Sequence, residues 1–266
     1  MEEQQAIILR EMGYRLWRLR RNAGETRECP EETPVPAAKP VETPARPAAA
    51  QPLVSAAAPR PAAPGAANDE RAATIASLDW EALTQAIQEC RACGLCARRR
   101  QVVPGIGDRT ANWLFVGEGP GAEEDTRGEP FVGQAGKLLD NMLAAIGLRR
   151  GHDVYIANAV KCRPEGNRTP SAEEMAACRP FLLRQIALIA PRLIVLMGKS
   201  AVHSVLGDDR SLAALRRKPL FFGETPAVVT YHPAYLLRNL PEKAKAWEDL
   251  CGARQIIRER ENGGAA

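Results

Sequence analysis

The sequence has 266 residues, of which 45% are apolar and 26% charged, the proportions of a globular protein with room for one large domain or two small ones. Its formal charge of +4 suits a polyanionic partner without requiring one, and no run approaches the roughly eighteen apolar residues that a membrane span needs. The acidic start Met1-Glu2-Glu3 leads into no apolar signal-like stretch, so the expectation is a cytoplasmic protein whose seven cysteines stay reduced and serve metal more readily than disulfides.

Residues 1–24 place Ile8, Leu9, Met12, Leu16 and Leu19 on one helical stripe, with Arg10, Arg15, Arg18, Arg20 and Arg21 largely around it. Such a basic amphipathic helix could dock on an unidentified partner, a membrane surface or nucleic acid, or simply pack on its own domain. Residues 25–72 are dominated by Pro, Ala, Glu and Thr, with prolines from Pro30 to Pro64, and should form an extended, disordered tether. The folded domain is expected over 73–258, followed by a disordered tail at 259–266.

Within that domain the apolar periodicity predicts a helix from Leu78 to Glu89 and a strand over Trp113–Val116. A helix follows from Gly136 to Ile146, stopped by Gly147, and then a strand over Val154–Asn158. Ser171 and Glu174 form a capping box opening a helix to Ile189, ahead of a buried strand over Leu193–Met197 and a short helix over Ala201–Leu206. Ala227–Tyr231 reads as a fourth strand and Pro241–Arg258 as the last helix. Strands alternating with helices predict an α/β fold with a central, mostly parallel four-stranded sheet covered on both faces. Gly198-Lys199-Ser200 is not a phosphate loop, because Leu193 stands where that motif needs its first glycine.

The loop between the first strand and the helix after it, GEGPGAEEDTRGEPFVGQAG over Gly117–Gly136, is a candidate site from position alone. Loops at the carboxyl ends of parallel strands form the ligand crevice. Its glycines imply tight turns or close approach to a ligand, and it gathers Glu118, Glu123, Glu124 and Asp125 beside Phe131. Cys90 and Cys93 are spaced C-x2-C, while Cys162 and Cys178 follow a strand and sit in a helix. Two such pairs can close a four-thiolate site for zinc or for an iron–sulfur cluster, with Cys96 as an equally spaced alternative to Cys90.

Four stretches together resemble the family-4 uracil-DNA glycosylases: GEGPG with its downstream PFVG, IANAVKCRP, AACRPFL around Cys178, and TYHPAYLLR. The resemblance covers about residues 80–257 and leaves out the N-terminal helix and tether. It implies a compact three-layer α/β/α glycosylase domain, monomeric, acting on uracil-containing single- or double-stranded DNA. It also implies a 4Fe-4S cluster on Cys90, Cys93, Cys162 and Cys178. In the site so implied, Phe131 stacks the flipped base, Asn158 reads its N3–O4 edge, and His232 donates to O2 as negative charge gathers there. Glu118, with the backbone near Gly119 and Pro120, holds the attacking water. His152 and His203 read as surface or packing residues.

Relatives that trap the sugar covalently carry an inserted basic segment with a histidine after the NAV strand, and here Lys161-Cys162-Arg163-Pro164 leads directly to Asn167. Lys161 reads as a phosphate contact or a cap on the cluster region, and the expectation is a monofunctional enzyme. The rival readings are a DNA-binding module that retains the fold without turnover, and an iron–sulfur electron carrier. Neither needs the whole set of Glu118, Phe131, Asn158 and His232.

Overall fold

The computed structural model describes residues 64–263. The helix expected over 1–24 and most of the tether lie outside the described residues. Helix α1 (Pro64–Ala76) begins within the stretch assigned to the tether. Pro64 fits the first helical turn and the residues after it are rich in Ala and free of Pro, so the proline-rich composition had ended before Ala73. Arg71 ties this helix down by donating to the carbonyl of Ala177 at 2.8 Å. Helix α2 (Trp80–Glu89) follows, capped by Asp79, whose carboxylate accepts from the Ala82 N–H at 2.8 Å.

A six-stranded mixed sheet forms the centre. Its strands are β1 (Ile106–Gly107), β2 (Trp113–Gly117), β3 (Val154–Asn158), β4 (Leu193–Met197), β5 (Leu220–Phe222) and β6 (Thr225–Thr230), in the order β1-β3-β2-β4-β6-β5. The four expected strands are β2, β3, β4 and β6, and they pair in parallel. The expectation of a four-stranded sheet is corrected by β1 and β5, which add antiparallel edges against β3 and β6. β1 is two residues long and β5 is the first arm of a tight hairpin, so neither carries a readable period.

β2, β3 and β4 are buried along their whole length, as parallel strands covered on both faces must be. Alternate residues feed two cores. Trp113, Phe115, Ile156 and Val195 pack against helices α4 (Gln134–Ala145) and α9 (Glu242–Gly263). Leu114, Val116, Ala157 and Leu196 pack against α5 (Ala172–Ile189) and α6 (Lys199–Leu206). The cluster of Ile75, Leu83, Ile87 and Phe181 with Cys162 and Cys178 lies under α1 and α2. Short helices α3 (Ala122–Arg127), α7 (Leu212–Leu215) and α8 (Pro233–Arg238) complete the connections. Among the described residues no helix is long and apolar enough to cross a membrane.

Candidate active site

The carboxyl ends of all four parallel strands open on one cleft of about 760 Å³. Glu118, Gly119 and Pro120 enter it after β2, Asn158 closes β3, Gly198 and Lys199 follow β4, and Tyr231 and His232 follow β6. Phe131 arrives from the loop before α4. The structure therefore brings together Glu118, Gly119, Pro120, Phe131, Asn158 and His232, although more than a hundred residues separate the first from the last.

Glycine makes this convergence possible at Gly117, where an added Cβ would lie 2.5 Å from both Asn158 Oδ1 and the Phe131 ring. Phe131 is buried at 6% exposure and has φ of +55°, a left-handed backbone that costs a non-glycine residue on the order of 1 kcal/mol or more. Its surroundings over-determine that conformation. Arg150 donates to the carbonyls of Pro130 and Phe131, each at 2.8 Å, and Glu124 accepts from the N–H groups of Val132 at 2.9 Å and Gly133 at 3.0 Å. The other oxygen of Glu124 accepts from Gly121 N–H at 3.0 Å, stapling both ends of the loop to one carboxylate. The Phe131 ring then stands 5.4 Å from that of His232.

His232 caps α8: its Nδ1 accepts from the Ala234 N–H at 3.2 Å, which leaves the ring proton on Nε2. Nε2 is buried and unpartnered among the described residues, and so is Asn158 Oδ1. Burial pulls the imidazole down to about 4, with Arg238 adding to the effect and Glu124 opposing it. His232 is thus a neutral donor at ordinary pH. Glu118 is half-buried and oriented from an unexpected direction, since the hydroxyl of Ser200, the second residue of α6, donates to its Oε2 at 2.6 Å.

Just past the end of β3, Cys90, Cys93, Cys96, Cys162 and Cys178 line a second, small pocket. Cationic and amide donors face the sulfurs: Arg99 reaches Cys162 Sγ at 3.1 Å, the Lys161 N–H reaches Cys178 Sγ at 3.3 Å, and Arg71 reaches Cys90 Sγ at 3.6 Å. Burial pushes the Cys178 thiol up to about 12, partly countered by Lys161. The lining of this pocket also includes Lys161. It is 1% exposed, and its ammonium donates to the Asn158 carbonyl at 2.9 Å and to Gln185 Oε1 at 2.6 Å, joining the cysteine pocket to the end of β3. Burial lowers its pKa to about 8.

A profile of the uracil DNA glycosylase superfamily matches residues 104–251. The chain belongs to this superfamily. It is 44% identical to the type-4 uracil-DNA glycosylase of Thermotoga maritima over 183 residues, 67% of this chain and 95% of that protein. The type-4 enzyme of Archaeoglobus fulgidus is 40% identical, over 65% of this chain and 94% of its own length. The type-5 enzyme of Thermus thermophilus is more distant, at 32% identity over 48% of this chain and 73% of its own. The superfamily match takes in the whole cleft but begins after Cys96, so three of the five pocket cysteines precede it.

Sequence reasoning missed Ser200, Glu124 and Arg150. Ser200 had been weighed only within a phosphate loop, and Glu124 only as one of several loop carboxylates, although its spacing three residues after Gly121 is that of a helix cap. Arg150 carries no local signal, because its acceptors are backbone carbonyls about twenty residues away.

Proposed function

We propose that the cleft hydrolyses the N-glycosidic bond of a uracil flipped out of DNA, releasing the base and leaving an abasic site. The observation that carries this reading is the pair of sealed, unpartnered atoms Asn158 Oδ1 and His232 Nε2 facing one cleft with the Phe131 ring. Buried polar groups are ordinarily paired, so such orphans mark where a ligand's own groups belong. Uracil complements them: N3–H donates to Asn158 Oδ1, the Asn158 amide donates to O4, and His232 Nε2–H donates to O2.

Water held by Glu118 adds to C1′ as the bond from C1′ to N1 breaks, with the electron pair leaving on the base. The charge that spreads onto O2 meets the Nε2 proton, a neutral donor in an enclosed site, and the proton from water passes through Glu118 to solvent or the departing base. Ser200 holds one Glu118 oxygen, leaving the other for the water. A lyase step would need a free amine at C1′. The Lys161 ammonium is committed to Asn158 and Gln185, which supports a monofunctional enzyme.

The second pocket suits a 4Fe-4S cluster held by Cys90, Cys93, Cys162 and Cys178, with Cys96 spare. Five cysteines line it and N–H donors face three of the sulfurs, as thiolates bound to iron require. When bound, such a group supplies cross-links between α2, the segment after β3 and α5, and leaves the glycosidic bond to the other cleft.

The test is single-turnover excision by anaerobically purified, iron-loaded protein from an oligonucleotide with one uracil. The expected products are free uracil and an abasic site that breaks only on heating in alkali. Tight binding without release would make the chain a binding module. Strand nicking with a borohydride-trapped adduct would make it a lyase and point to Lys199, the lysine that lines the cleft.

A further inference from the structure

The hydrolysis leaves one part of the cleft unused. At its mouth the rings of Tyr231 and Tyr235 are stacked, with centroids 5.2 Å apart and planes 22° from parallel. Tyr231 is itself anchored, because the Arg216 guanidinium lies 5.0 Å over its ring. Arg216 in turn is pinned by both oxygens of Asp249, at 2.7 and 2.9 Å, and by the Lys245 carbonyl at 2.8 Å. That ion pair is nearly sealed from solvent, so its geometry is fixed by packing rather than by a mobile surface contact.

Tyr235 therefore presents a ring whose orientation is already set, yet it is 37% exposed. Among the described residues, the other large apolar side chains that are well exposed, Phe221, Leu237 and Leu240, do not line the cleft. Arg238, three residues further along the same helix, and Lys199 line the same cleft, exposed cations with no ion-pair partner among the described residues. An ordered, exposed aromatic flanked by cations is the arrangement that binds single-stranded nucleic acid, the ring taking a base and the cations the backbone. The flipped base does not need it, since Phe131 supplies the buried aromatic wall further in.

We propose that Tyr235 is a stacking platform for the unpaired base adjacent to the flipped uracil, so that the enzyme grips two consecutive nucleotides, one by its edge and one by its face. This rests on the uracil-excising reading of the cleft. Stacking recognises any base, so the platform adds affinity without adding sequence preference. It favours single strands and frayed or mispaired segments, where the neighbouring base is already free.

The test uses full-length, iron-loaded protein and a single-stranded oligonucleotide in which a cleavage-resistant 2′-fluoroarabinosyl uracil has 2-aminopurine on its 5′ or its 3′ side. The wild type should change the 2-aminopurine fluorescence in one of the two placements. Tyr235→Ala should abolish that change and weaken binding about 5- to 150-fold, the usual range for loss of one base–aromatic stack. Tyr235→Phe should retain both, and free uracil should inhibit all three proteins equally. No fluorescence change in either placement with the wild type, or unaltered binding by Tyr235→Ala, overturns the proposal. Weaker inhibition of Tyr235→Ala by free uracil overturns it too, by placing the ring against the flipped base. A wild type that releases no uracil from an ordinary uracil oligonucleotide would instead sink the hydrolytic reading, and this one with it.

Discussion

Replacing His232 separates stabilisation of the departing base from its binding. The ring is the N-cap of α8 through Nδ1 and, in the proposed reaction, the donor to O2 through Nε2, so two substitutions are needed to divide these roles. His232→Ala removes both. The capping loss costs about 1 kcal/mol of stability. The lost donor, by comparison with other oxyanion-type contacts, should cost about 2.7–4 kcal/mol in the transition state, a fall of about 10²–10³ in single-turnover rate. His232→Asn restores a capping acceptor but is too short to donate to O2, so stability should return while the rate does not. Affinity for a uracil oligonucleotide, read by anisotropy, should change only a few-fold in either variant, because the contact strengthens as charge develops. Since burial holds the imidazole near 4, His232 stays neutral from about pH 5.5 upward, and the wild-type rate should show no His232-dependent break near 6.5. The same depression links to folding. A histidine whose native pKa lies below its unfolded value binds fewer protons when folded, so its contribution is complete above about 6.5 and is lost as pH falls towards 4. Equal losses of rate and affinity in His232→Ala, or a rate break near 6.5 that vanishes in His232→Asn, would refute this account.

Three further outcomes are expected. Asn158→Asp keeps an acceptor for N3–H but loses the donor to O4 and can accept from the N4 amino group of cytosine; with each buried mismatch costing about 1–3 kcal/mol, discrimination between uracil and cytosine should narrow in matched single-turnover assays. Full wild-type activity and discrimination in that variant would remove Asn158 from base reading. Ser200→Ala frees the Glu118 carboxylate and should slow bond cleavage about tenfold at unchanged affinity, while Ser200→Thr should recover most of the rate; loss of affinity instead would make Ser200 a binding residue. Cys162→Ala or Cys178→Ala should leave anaerobically prepared protein without about four iron per chain and poorly folded, whereas Cys96→Ala should keep its iron; stoichiometric zinc in the wild type would exclude the cluster.

The parallel core could be read from sequence because each strand is a short apolar run sealed on both faces, a pattern set by the strand alone. β1, β5 and α3 could not, since two or three residues hold no period and AEEDTR has no apolar stripe. Asn158 and His232 came from the resemblance of IANAVKCRP and TYHPAYLLR to the glycosylases, and the structure places them at or just after strand ends. Ser200 meets Glu118 across 82 residues of chain, a relation only the assembled sheet creates. Lys161, which the sequence left as a phosphate contact or a cap on the cluster region, lies buried in the lining of the cysteine pocket, where Gln185 and a carbonyl satisfy its ammonium.

The aromatic wall of the cleft has no slack. A methyl group at Gly136 would sit 1.7 Å from the Phe131 carbonyl oxygen, so the first turn of α4 locks the loop against any side chain there. Directed evolution towards bulkier or differently shaped bases would therefore find Gly136 almost immutable. Retargeting the enzyme would have to leave that turn untouched and proceed through Asn158 and the rim of the cleft.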